Sequence, residues 1–485
     1  MSKLEPQSVF ECFAKVNQVP RPSKREEKMI EFLRQFGEDL GLETNVDETG
    51  NVIIRKPATP GYENRKTVIL QSHMDMVCEK NKDVDFDFEK DAIQTYVDGE
   101  WMKAKGTTLG ADDGIGVAME MALLLANDIE HGPIECVFTR DEETGLTGAE
   151  GMKPGFMSGD YLINLDSEDE GEIFVSCAGG VRTEGRYGFP IAERESTNGM
   201  FVANLVVKGL TGGHSGDDIN KNRANANKIL VRFLCEEMDK TDLRLIDIQA
   251  GGLHNAIPRE ARATIAVPMD FKEQLRIDNN VFAANLREEF SVTEPTMIID
   301  LESSVEDVRP ALEKNKASLM LKSLFAVHNG IYAMSQDLEG LVETSSNLAS
   351  IHLVDEEVIV NSSQRSSLPS NIPNMAHIVR CALELGGARC ITNEGYPGWK
   401  MNPKSEILKI ARESYVRIFG KEPKVKAIHA GLECGLFSEK YPNLDMVSFG
   451  PTLRGVHSPD EKLLIPTVKM VWDHLLDILK NIPVK

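Results

Sequence analysis

The sequence predicts an α/β fold in which a largely parallel mixed sheet is covered by helices and a smaller α+β domain is inserted. Three observations predict this fold class. Short apolar strands alternate with helices in the first part of the chain, the pattern changes near residue 183, and the first pattern returns after residue 395. We therefore expect one discontinuous domain made of residues 1–182 and 396–485, with residues 183–395 as the insertion.

The first part of the chain alternates predicted strands and helices. Apolar β-type runs cover residues 51–55, 67–71, 134–139 and 161–165, and helical periodicity covers residues 8–16, 26–41 and 114–128. Ser23 precedes the second of these helices, so we expect its side chain to cap that helix. Strands that alternate with helices are typical of a parallel sheet with helices on its faces.

The predicted insertion has a different pattern. Residues 201–208 and 261–267 are apolar and rich in β-branched side chains, and they flank the helical segment 224–239. This mixture indicates an antiparallel sheet combined with helices. Beyond a Gly/Pro-rich stretch, a helix at 405–420, a strand at 444–449 and a final helix resume the first pattern.

The composition excludes several classes of protein. The chain has 485 residues, 76 acidic and 54 basic, and its formal net charge of -22 argues against nucleic acid or an anionic membrane surface as the main partner. No run approaches the ~20 apolar residues of a membrane span, and the N-terminal residues lack the pattern of a secretory signal. We therefore expect a soluble cytoplasmic protein. Its eight cysteines include no CxxC pair and are expected to be buried free thiols.

Polar and acidic side chains follow several of the predicted strands. In open α/β sheets, ligands bind beyond the carboxyl ends of the strands, so we expect these side chains to converge. An acidic pair, Asp112 and Asp113, also lies just before the helix at 114–128. The residues at or beyond the strand ends are His73, Asp75, Glu142, Glu143, Asp166 and His457.

Each of these residues has an ordinary structural explanation when taken alone. Asp112 or Asp113 can be the N-cap of the following helix, Glu142 can be a solvated loop charge like its neighbour, and His457 can be a turn histidine. Two histidines and several carboxylates together, however, form an N/O ligand set that suits Zn²⁺ or Mn²⁺ and needs no thiolate. The combination therefore favours a metal centre.

A pair of divalent ions needs one bridging carboxylate and about two further ligands for each ion. We predict that Asp112 is the bridging ligand. His73 and Asp166 are predicted to complete one metal site. Glu143 and His457 are predicted to complete the other.

Two further acidic residues have predicted roles beside the metal ligands. Asp75 lies two residues after His73 and is predicted to orient its imidazole. Glu142 precedes the ligand Glu143 and is predicted to be the general base, which takes a proton from water and passes it to a leaving amine. Hydrolysis of an amide is the chemistry that this set of residues favours.

Long stretches of the chain resemble the di-zinc metallopeptidases, the family that includes carboxypeptidase G2, peptidase T and the carnosinases. The resemblance implies the fold of a di-zinc exopeptidase catalytic domain, with a lid and dimerisation domain at residues 183–395, and it gives the predicted metal roles to the same residues. In this chain, Asp113 and Gly114 stand where the family often has a lysine after the bridging aspartate. The matching stretches are residues 64–77 (NRKTVILQSHMDMV), 106–116 (GTTLGADDGIG), 162–172 (LINLDSEDEGE), 209–216 (GLTGGHSG), 254–261 (HNAIPREA), 429–437 (HAGLECGLF) and 450–461 (GPTLRGVHSPDE).

The resemblance also implies substrate-binding residues. His214 is similar to the lid-domain histidine that stabilises the tetrahedral oxyanion, although it can also be a turn histidine bound by its own loop. Arg365 and Asn255 are similar to positions that hold the terminal carboxylate of the substrate, although an arginine can equally form a surface salt bridge. Glu433 lies at the family's substrate loop and is expected to meet the free amino group of the substrate.

The resemblance implies a homodimeric enzyme with two divalent ions, preferably Zn²⁺ but also Mn²⁺ or Co²⁺. The implied reaction is hydrolysis of unblocked dipeptides, with a preference for Xaa-His substrates that include β-alanyl-histidine (carnosine). One alternative is an N-acyl amino acid deacylase, which would use the same metals but would lack an acid for the substrate amine. Another is a non-catalytic binding protein on this scaffold, which would be expected to have lost the base that Glu142 supplies.

Overall fold

The computed structural model describes residues 4–304, 309–336 and 340–485. These residues divide into two compact units. The first comprises the described residues of Met1–Ser176, together with Trp399–Ala427 and Leu432–Lys485. The second comprises those of Cys177–Gly398 together with the short segment Ile428–Gly431.

The first stretch of the first unit alternates helices and strands. Its helices are α1 (Gln7–Val16), α2 (Glu27–Asp39), α3 (Ala111–Leu125), α4 (Glu142–Gly145) and α5 (Thr147–Gly151). Its strands are β1 (Glu43–Val46), β2 (Val52–Lys56), β3 (Val68–His73), β4 (Thr95–Asp98), β5 (Trp101–Ala104), β6 (Ile134–Thr139), β7 (Tyr161–Asn164) and β8 (Glu172–Cys177).

The second unit contains most of the remaining strands. They are β9 (Gly179–Gly188), β10 (Met200–Lys208), β11 (Gly213–His214), β12 (Arg244–Gly251), β13 (Ala256–Ile257), β14 (Ala261–Pro268), β15 (Ile298–Ser303), β16 (Gly330–Met334), β17 (Val342–Val354), β18 (Glu357–Ser366) and β19 (Arg389–Thr392). Its α-helices are α6 (Ala226–Lys240), α7 (Lys272–Glu289), α8 (Lys314–Ala326) and α9 (Asn371–Leu385). Short 3₁₀ helices cover Ile191–Glu193 and Met269–Phe271.

The last stretch returns to the first unit. Its helices are α10 (Glu406–Phe419), α11 (Glu433–Lys440) and α12 (Ile465–Lys480). Its strands are β20 (Lys424–Ile428), β21 (Asp445–Ser448), β22 (Leu453–Arg454) and β23 (Lys462–Leu464).

The first unit is built on an eight-stranded sheet in the order β1-β2-β6-β3-β7-β21-β8-β20. Strands β6, β3, β7 and β21 form its parallel centre, whereas β1, β2 and β8 run antiparallel to neighbours. The central strands β6, β3 and β7 are buried along their whole length, and α2, α3 and α10 pack against the sheet. This arrangement confirms the predicted mixed sheet covered by helices. A separate four-stranded sheet, β22-β23-β5-β4, holds the loop that carries His457.

The second unit is built on a nine-stranded sheet in the order β15-β10-β14-β12-β17-β18-β9-β19, with β16 beside β17. Every pair of adjacent strands in it is antiparallel, as predicted for the inserted α+β domain. The helices bury one large apolar core against this sheet, with Leu230, Phe233, Met320 and Met375 among its most buried side chains.

Two predictions from composition can be compared with this fold. All eight cysteines are free thiols, as predicted, and four of them (Cys12, Cys136, Cys177 and Cys434) are buried while the rest are partly buried. The longest helix in the described ranges, α7, has 18 residues and carries several charged side chains. No helix in the described parts of the chain has the length and apolar character that crossing a bilayer requires.

Candidate metal centre

The structure brings the predicted metal ligands together in the first unit. The carboxyl ends of parallel strands meet at one edge of a sheet, and three of the ligand-bearing segments follow β3, β6 and β7. His73 is the last residue of β3, and Asp166 follows β7. Glu142 and Glu143 are the first residues of α4, which follows β6. Asp112 lies in the first turn of α3, and His457 lies between β22 and β23.

One group of potential ligands consists of His73, Asp112 and Asp166. The Nε2 atom of His73 lies 3.0 Å from Asp112 Oδ1 and 3.6 Å from Asp166 Oδ1. One ligand atom from each of the three residues lies within 4.8 Å of the others. Imidazole and carboxylate groups at this spacing can share one divalent cation.

The second group consists of Asp112, Glu143 and His457. The Nε2 atom of His457 lies 3.2 Å from Asp112 Oδ2 and 2.9 Å from Glu143 Oε2. Asp112 therefore turns one carboxylate oxygen toward His73 and the other toward His457. This arrangement is what a carboxylate that bridges two ions requires.

Asp75 lies between a potential ligand and the predicted base. Its Oδ1 atom is 3.3 Å from His73 Nδ1 and accepts a hydrogen bond from the backbone N–H of Glu142 at 3.0 Å. The hydroxyl of Ser23 donates to Oδ2 at 2.7 Å. Burial alone would raise the pKa of Asp75, but its contacts with His73 and these hydrogen bonds lower it.

Ser23 corrects one prediction. It was expected to cap α2, but the N-cap residue of α2 is Glu26, and no side chain makes a cap hydrogen bond there. Ser23 lies in a turn that precedes the helix, and its hydroxyl instead binds the buried carboxylate of Asp75. A charged acceptor forms a stronger hydrogen bond than a neutral one, which accounts for this choice.

Glu142 lies beside both metal groups. One of its carboxylate oxygens lies within 4.8 Å of ligand atoms of His73 and Glu143. Burial raises the pKa of Glu142 well above its usual value, and Asp166 and Glu143 add to that effect against the influence of His73. A carboxylate with a raised pKa can hold a proton between two steps of a reaction.

The charge at this centre calls for cations. Within the described residues, Asp112, Glu143 and Asp166 form ion pairs with histidines and with no lysine or arginine. Burial raises the pKa of Asp166 to about 7 despite the opposing effect of His73. Hydrogen bonds to Asp112 and Glu143 raise the pKa of His457 to about 11. Such uncompensated negative charge around two imidazoles fits divalent metal ions.

Asp113 has a structural role at the start of α3. The N-cap residue of this helix is Gly110, so neither Asp112 nor Asp113 occupies the cap position. Asp113 Oδ1 nevertheless accepts the backbone N–H of Gly116 at 3.2 Å. The capping explanation thus holds in part for Asp113 and fails for Asp112, whose carboxylate faces the two histidines.

Glu433, the first residue of α11, is fully buried in the first unit. Its Oε2 atom accepts hydrogen bonds from Gln71 Nε2 at 2.6 Å and from Thr139 Oγ1 at 2.7 Å. Its Oε1 atom has no hydrogen-bond partner among the described residues. Burial raises the pKa of Glu433 to about 7. Because Gln71 and His73 are two residues apart on β3, they share one face of the sheet, so Glu433 lies next to the metal ligands.

The other predicted substrate residues lie in the second unit, on connected elements. Strands β11 and β13 pair His214 with Ala256, and the N–H of Ser215 donates to the carbonyl of Asn255 at 2.8 Å. The Nδ1 atom of His214 lies 3.2 Å from Asp217 Oδ2. His214 therefore has a partner in its own loop, as its ordinary structural explanation requires.

Arg365 lies on β18 and is 8% exposed. Its guanidinium donates to the hydroxyl of Tyr396 at 2.9 Å, while its Nε has no partner among the described residues. No ion pair to Arg365 is present in the described ranges, so the surface salt bridge considered from the sequence is absent there. Opposite Arg365 on β17 is Ser345, whose hydroxyl lies 2.7 Å from Nε2 of His429.

Two buried charged residues beside this centre were not found from the sequence. Arg21 and Glu461 bind backbone groups of residues 109–112 rather than the side chain of any predicted ligand. Backbone atoms carry no residue type, so no pattern of side chains could signal these contacts. The one available signal was the position of Glu461 at the end of the matching stretch 450–461.

Comparison with known families decides the classification of this chain. Residues 69–481 match peptidase family M20/M25/M40. The chain belongs to this family. Membership in M20/M25/M40 confirms the predicted metallopeptidase class, and it agrees with the His and carboxylate groups that can hold metal ions.

Relatives of this M20/M25/M40 peptidase extend over the full chain. The cytosol non-specific dipeptidase of Escherichia coli (strain K12) is 43% identical over 486 residues, which cover 100% of this chain and 99% of the relative. The crystal structure of aminoacylhistidine dipeptidase from Vibrio alginolyticus is 44% identical with a TM-score of 0.91, over 100% of this chain and 98% of that one. Aminopeptidase PepT from Bacillus cereus, 17% identical over 99% of this chain and 100% of its own with a TM-score of 0.58, shares the fold.

Proposed function

We propose that this chain is a metal-dependent dipeptidase that hydrolyses unblocked dipeptides and prefers Xaa-His substrates, including β-alanyl-histidine. The observation that carries the proposal is the carboxylate of Asp112, which faces His73 with one oxygen and His457 with the other. The predicted base, Glu142, lies beside them. The names of the two full-length relatives, a cytosol non-specific dipeptidase and an aminoacylhistidine dipeptidase, support the substrate class.

The proposed metal pair is held by the predicted ligands. Asp112 would bridge the ions, with His73 and Asp166 at one ion and Glu143 and His457 at the other. Carboxylate oxygens and imidazole nitrogens without thiolates suit Zn²⁺, and the same set accepts Mn²⁺ or Co²⁺. When bound, such a pair would lower the pKa of a water molecule and polarise the carbonyl of the scissile peptide bond.

The residues of the chain would move the proton. Glu142 would take a proton from the attacking water on its carboxylate and deliver it to the nitrogen of the leaving amine. The backbone N–H of Glu142 donates a hydrogen bond to Asp75, and this bond fixes the position of the Glu142 backbone. Asp75 also lies beside Nδ1 of His73, where it would keep the imidazole oriented with Nε2 toward the ion.

We propose that further residues bind the two charged ends of a dipeptide. Glu433 would bind the ammonium group of the substrate, and this role is supported by its buried Oε1 atom, which has no hydrogen-bond partner in the described part of the chain. Arg365 and Asn255 would bind the terminal carboxylate, and this role is supported by the Nε atom of Arg365, which likewise has no partner among the described residues. His214 would donate to the oxyanion of the tetrahedral intermediate.

Glu433 favours the dipeptidase over the deacylase. An N-acyl amino acid has no ammonium group, so a deacylase would gain nothing from a buried carboxylate oxygen without a partner. The retention of Glu142 beside both metal groups favours an enzyme over a non-catalytic binding protein. The dipeptidase is therefore the function that these residues support best.

We also propose a cytoplasmic homodimer that assembles through the second unit. In the described residues, β16 pairs only with β17, which leaves its other edge free to pair. Apolar side chains are exposed on this strand and on α8, namely Ile331, Tyr332, Met334, Leu319 and Phe325. A second copy of the same surface would cover this apolar patch.

A substrate panel tests the proposed function. We expect protein loaded with Zn²⁺ or Mn²⁺ to cleave β-alanyl-histidine and Gly-His fastest, Leu-Gly more slowly, and N-acetyl-histidine and a tripeptide hardly at all. Binding of both charged ends predicts this order, because a blocked or misplaced terminus leaves a buried charge unpaired. Cleavage of N-acetyl-histidine in preference to every dipeptide would establish the deacylase instead. A metal-loaded protein that cleaves no member of the panel would contradict both enzymes.

A further inference from the structure

Arg21 and Glu461 are charged, buried residues of the first unit that are not metal ligands. Arg21 is 1% exposed and Glu461 is 2% exposed. Burial lowers the pKa of Arg21 and raises the pKa of Glu461, so each charge needs compensation within the protein. For Arg21, the carboxylates of Glu461 and Asp75 oppose the effect of burial, and both Arg21 and Glu461 also bind the backbone of the same short segment, residues 109–112, which ends at Asp112.

Glu461 binds the N–H side of that segment. Its carboxylate accepts four backbone hydrogen bonds, from Leu109 at 2.7 Å, Gly110 at 2.9 Å, Ala111 at 2.7 Å and Asp112 at 3.3 Å. Two N–H groups bind each carboxylate oxygen, so the acceptor capacity of Glu461 is fully used. Because Glu461 belongs to the loop that carries His457, these bonds join that loop to Asp112.

Arg21 binds the carbonyl side of the same segment. One guanidinium nitrogen donates to the carbonyl of Gly110 at 2.6 Å, and the other donates to the carbonyl of Asp75 at 2.9 Å. A Cβ atom at Gly110 or at Gly114 would lie 2.5 Å from the guanidinium, so only glycine fits at both positions. Arg21 therefore joins the Asp112 segment to the chain just after His73.

The backbone of His457 needs such support. Its φ angle is +61°, in the left-handed region that residues other than glycine rarely adopt. A residue stays in this conformation only when its surroundings impose it. Glu461, four residues further along the same loop, anchors the loop through its bonds to residues 109–112.

We propose that Arg21 and Glu461 are positioning residues that fix His73, Asp112 and His457 relative to one another and so set the affinity of the centre for divalent metal. Glu461 controls the separation of Asp112 from His457, and Arg21 controls that of Asp112 from His73. The inference rests on the metal centre of the proposed function, and it is independent of which peptide is hydrolysed.

Binding of Co²⁺ to the metal-stripped full chain tests this inference. In Glu461→Gln, the amide nitrogen replaces one acceptor oxygen and faces backbone N–H groups, so two of the four bonds are lost. We expect Co²⁺ to bind about 10–100-fold more weakly, as is typical when a group that orients metal ligands is lost. The visible absorption of the bound Co²⁺ should also change, because its ligand geometry changes. Arg21→Lys should act in the same direction, since an ammonium cannot reproduce the guanidinium fork.

Glu294 offers a matched control. It is a buried glutamate of the second unit, 3% exposed, that accepts backbone N–H groups of Thr211 at 2.6 Å and Ala224 at 2.9 Å. Glu294→Gln should lower the unfolding temperature yet leave Co²⁺ affinity and absorption unchanged. The comparison separates loss of positioning from loss of stability.

Each outcome bears on one claim. If the wild type binds Co²⁺ and both Glu461→Gln and Arg21→Lys bind it equally well, the positioning role is overturned and the proposed function is untouched. Failure of the wild type to bind Co²⁺ overturns the metal centre and this inference with it. If Glu461→Gln does not fold, Glu461→Asp is the variant to use. This change keeps the charge and shortens the side chain by one methylene, and we again expect weaker binding of Co²⁺. Unchanged affinity in Glu461→Asp overturns the inference.

Discussion

The carboxylate of Asp75 accepts the backbone N–H of Glu142 at 3.0 Å while lying 3.3 Å from Nδ1 of His73. A single buried side chain thus contacts both the predicted base and a predicted metal ligand. The other oxygen of Asp75 accepts hydrogen bonds from the hydroxyl of Ser23 at 2.7 Å and from the backbone N–H of Glu143 at 3.3 Å. The position of the base and the orientation of the ligand are consequently linked through Asp75.

Replacement of Asp75 tests this link. In Asp75→Asn, one oxygen becomes an amide nitrogen that cannot accept a hydrogen bond, so the backbone N–H of either Glu142 or Glu143 loses its partner. We expect kcat for β-alanyl-histidine to fall about 10–100-fold. Steady-state kinetics measure the change. Asp160→Asn is the control, because Asp160 accepts the N–H of Thr67 at the opposite end of β3, and its kcat should stay at the wild-type value. An unchanged kcat in Asp75→Asn would refute the link.

The bridging role of Asp112 predicts an unequal loss of metal. Removal of the shared ligand in Asp112→Ala should empty both metal sites, whereas His457→Ala should weaken only the site that His457 helps to form. Metal analysis after dialysis against free Zn²⁺ at a fixed low concentration gives the number of ions per chain. We expect His457→Ala to keep one ion more than Asp112→Ala does. Equal metal contents in the two variants would argue against a bridge.

Glu433 predicts a substrate-specific defect. Glu433→Gln keeps an oxygen for Gln71 and Thr139 but removes the charge that would meet an ammonium group. A lost charge-assisted hydrogen bond corresponds to roughly a 10–100-fold decrease in kcat/KM for free dipeptides. Zn²⁺ content should be unchanged. A variant that cleaves free dipeptides as well as the wild type does would remove Glu433 from substrate binding.

Buried His474 predicts a loss of stability in acid. Its Nε2 donates to the carbonyl of Ala411 at 2.8 Å, and burial lowers its pKa to about 4. The unfolded chain binds a proton at this residue near pH 6.5 and the folded chain does not, so the free energy of unfolding falls as the pH drops from about 6.5 toward 4. Between pH 7.5 and pH 5, this one group should cost about 2 kcal/mol.

Denaturant unfolding followed by tryptophan fluorescence measures that cost, since all three tryptophans (Trp101, Trp399 and Trp472) lie in the first unit. His474→Phe should be less stable at pH 7.5 but should lose about 2 kcal/mol less on acidification than the wild type does. A pH dependence that is identical in the two proteins would be inconsistent with a neutral buried His474.

The proposed dimer surface predicts a change of mass. Phe325→Glu combined with Ile331→Glu places charges on the apolar patch of α8 and β16, where a second copy would desolvate them. We expect light scattering to give the mass of two chains for the wild type and of one chain for this variant. Val292→Glu, on a side chain that is 90% exposed and lies outside α8 and β16, is the control that should remain dimeric. A monomeric wild type would contradict the proposal directly.

The sequence predicted the sheet well and the boundaries of its elements less well. Strand β6 has the predicted bounds, Ile134–Thr139, because apolar residues dominate it even though it also contains the buried Glu135 and Thr139. Strand β3 extends to His73 rather than ending at Gln71, since ladder pairing with β6 keeps buried polar residues in the strand. Apolar patterning cannot detect a strand that continues through polar side chains.

In the candidate site, the sequence predicted which side chains meet but not which residues bind the backbone. The types and order of the polar residues indicated which side chains would meet, and the structure brings the five predicted ligands together. Arg21 and Glu461 escaped prediction because their partners are backbone groups of residues 109–112 and Asp75. The one wrong role, the cap assigned to Ser23, arose because a buried carboxylate distant in sequence was the better acceptor.

Bound metal and Glu142 are both required for the dipeptide hydrolysis that we propose for this chain. The most direct measurement is the rate of β-alanyl-histidine hydrolysis as Zn²⁺ is returned to metal-stripped protein, for the wild type, Glu142→Gln and the exposed neighbour Glu150→Gln. We expect the rate to rise from zero to a plateau at about two ions per chain in the wild type and in Glu150→Gln. We expect Glu142→Gln to bind the same ions without hydrolysis. Hydrolysis by the stripped protein, or an undiminished rate in Glu142→Gln, would show that the metal or Glu142 is not needed.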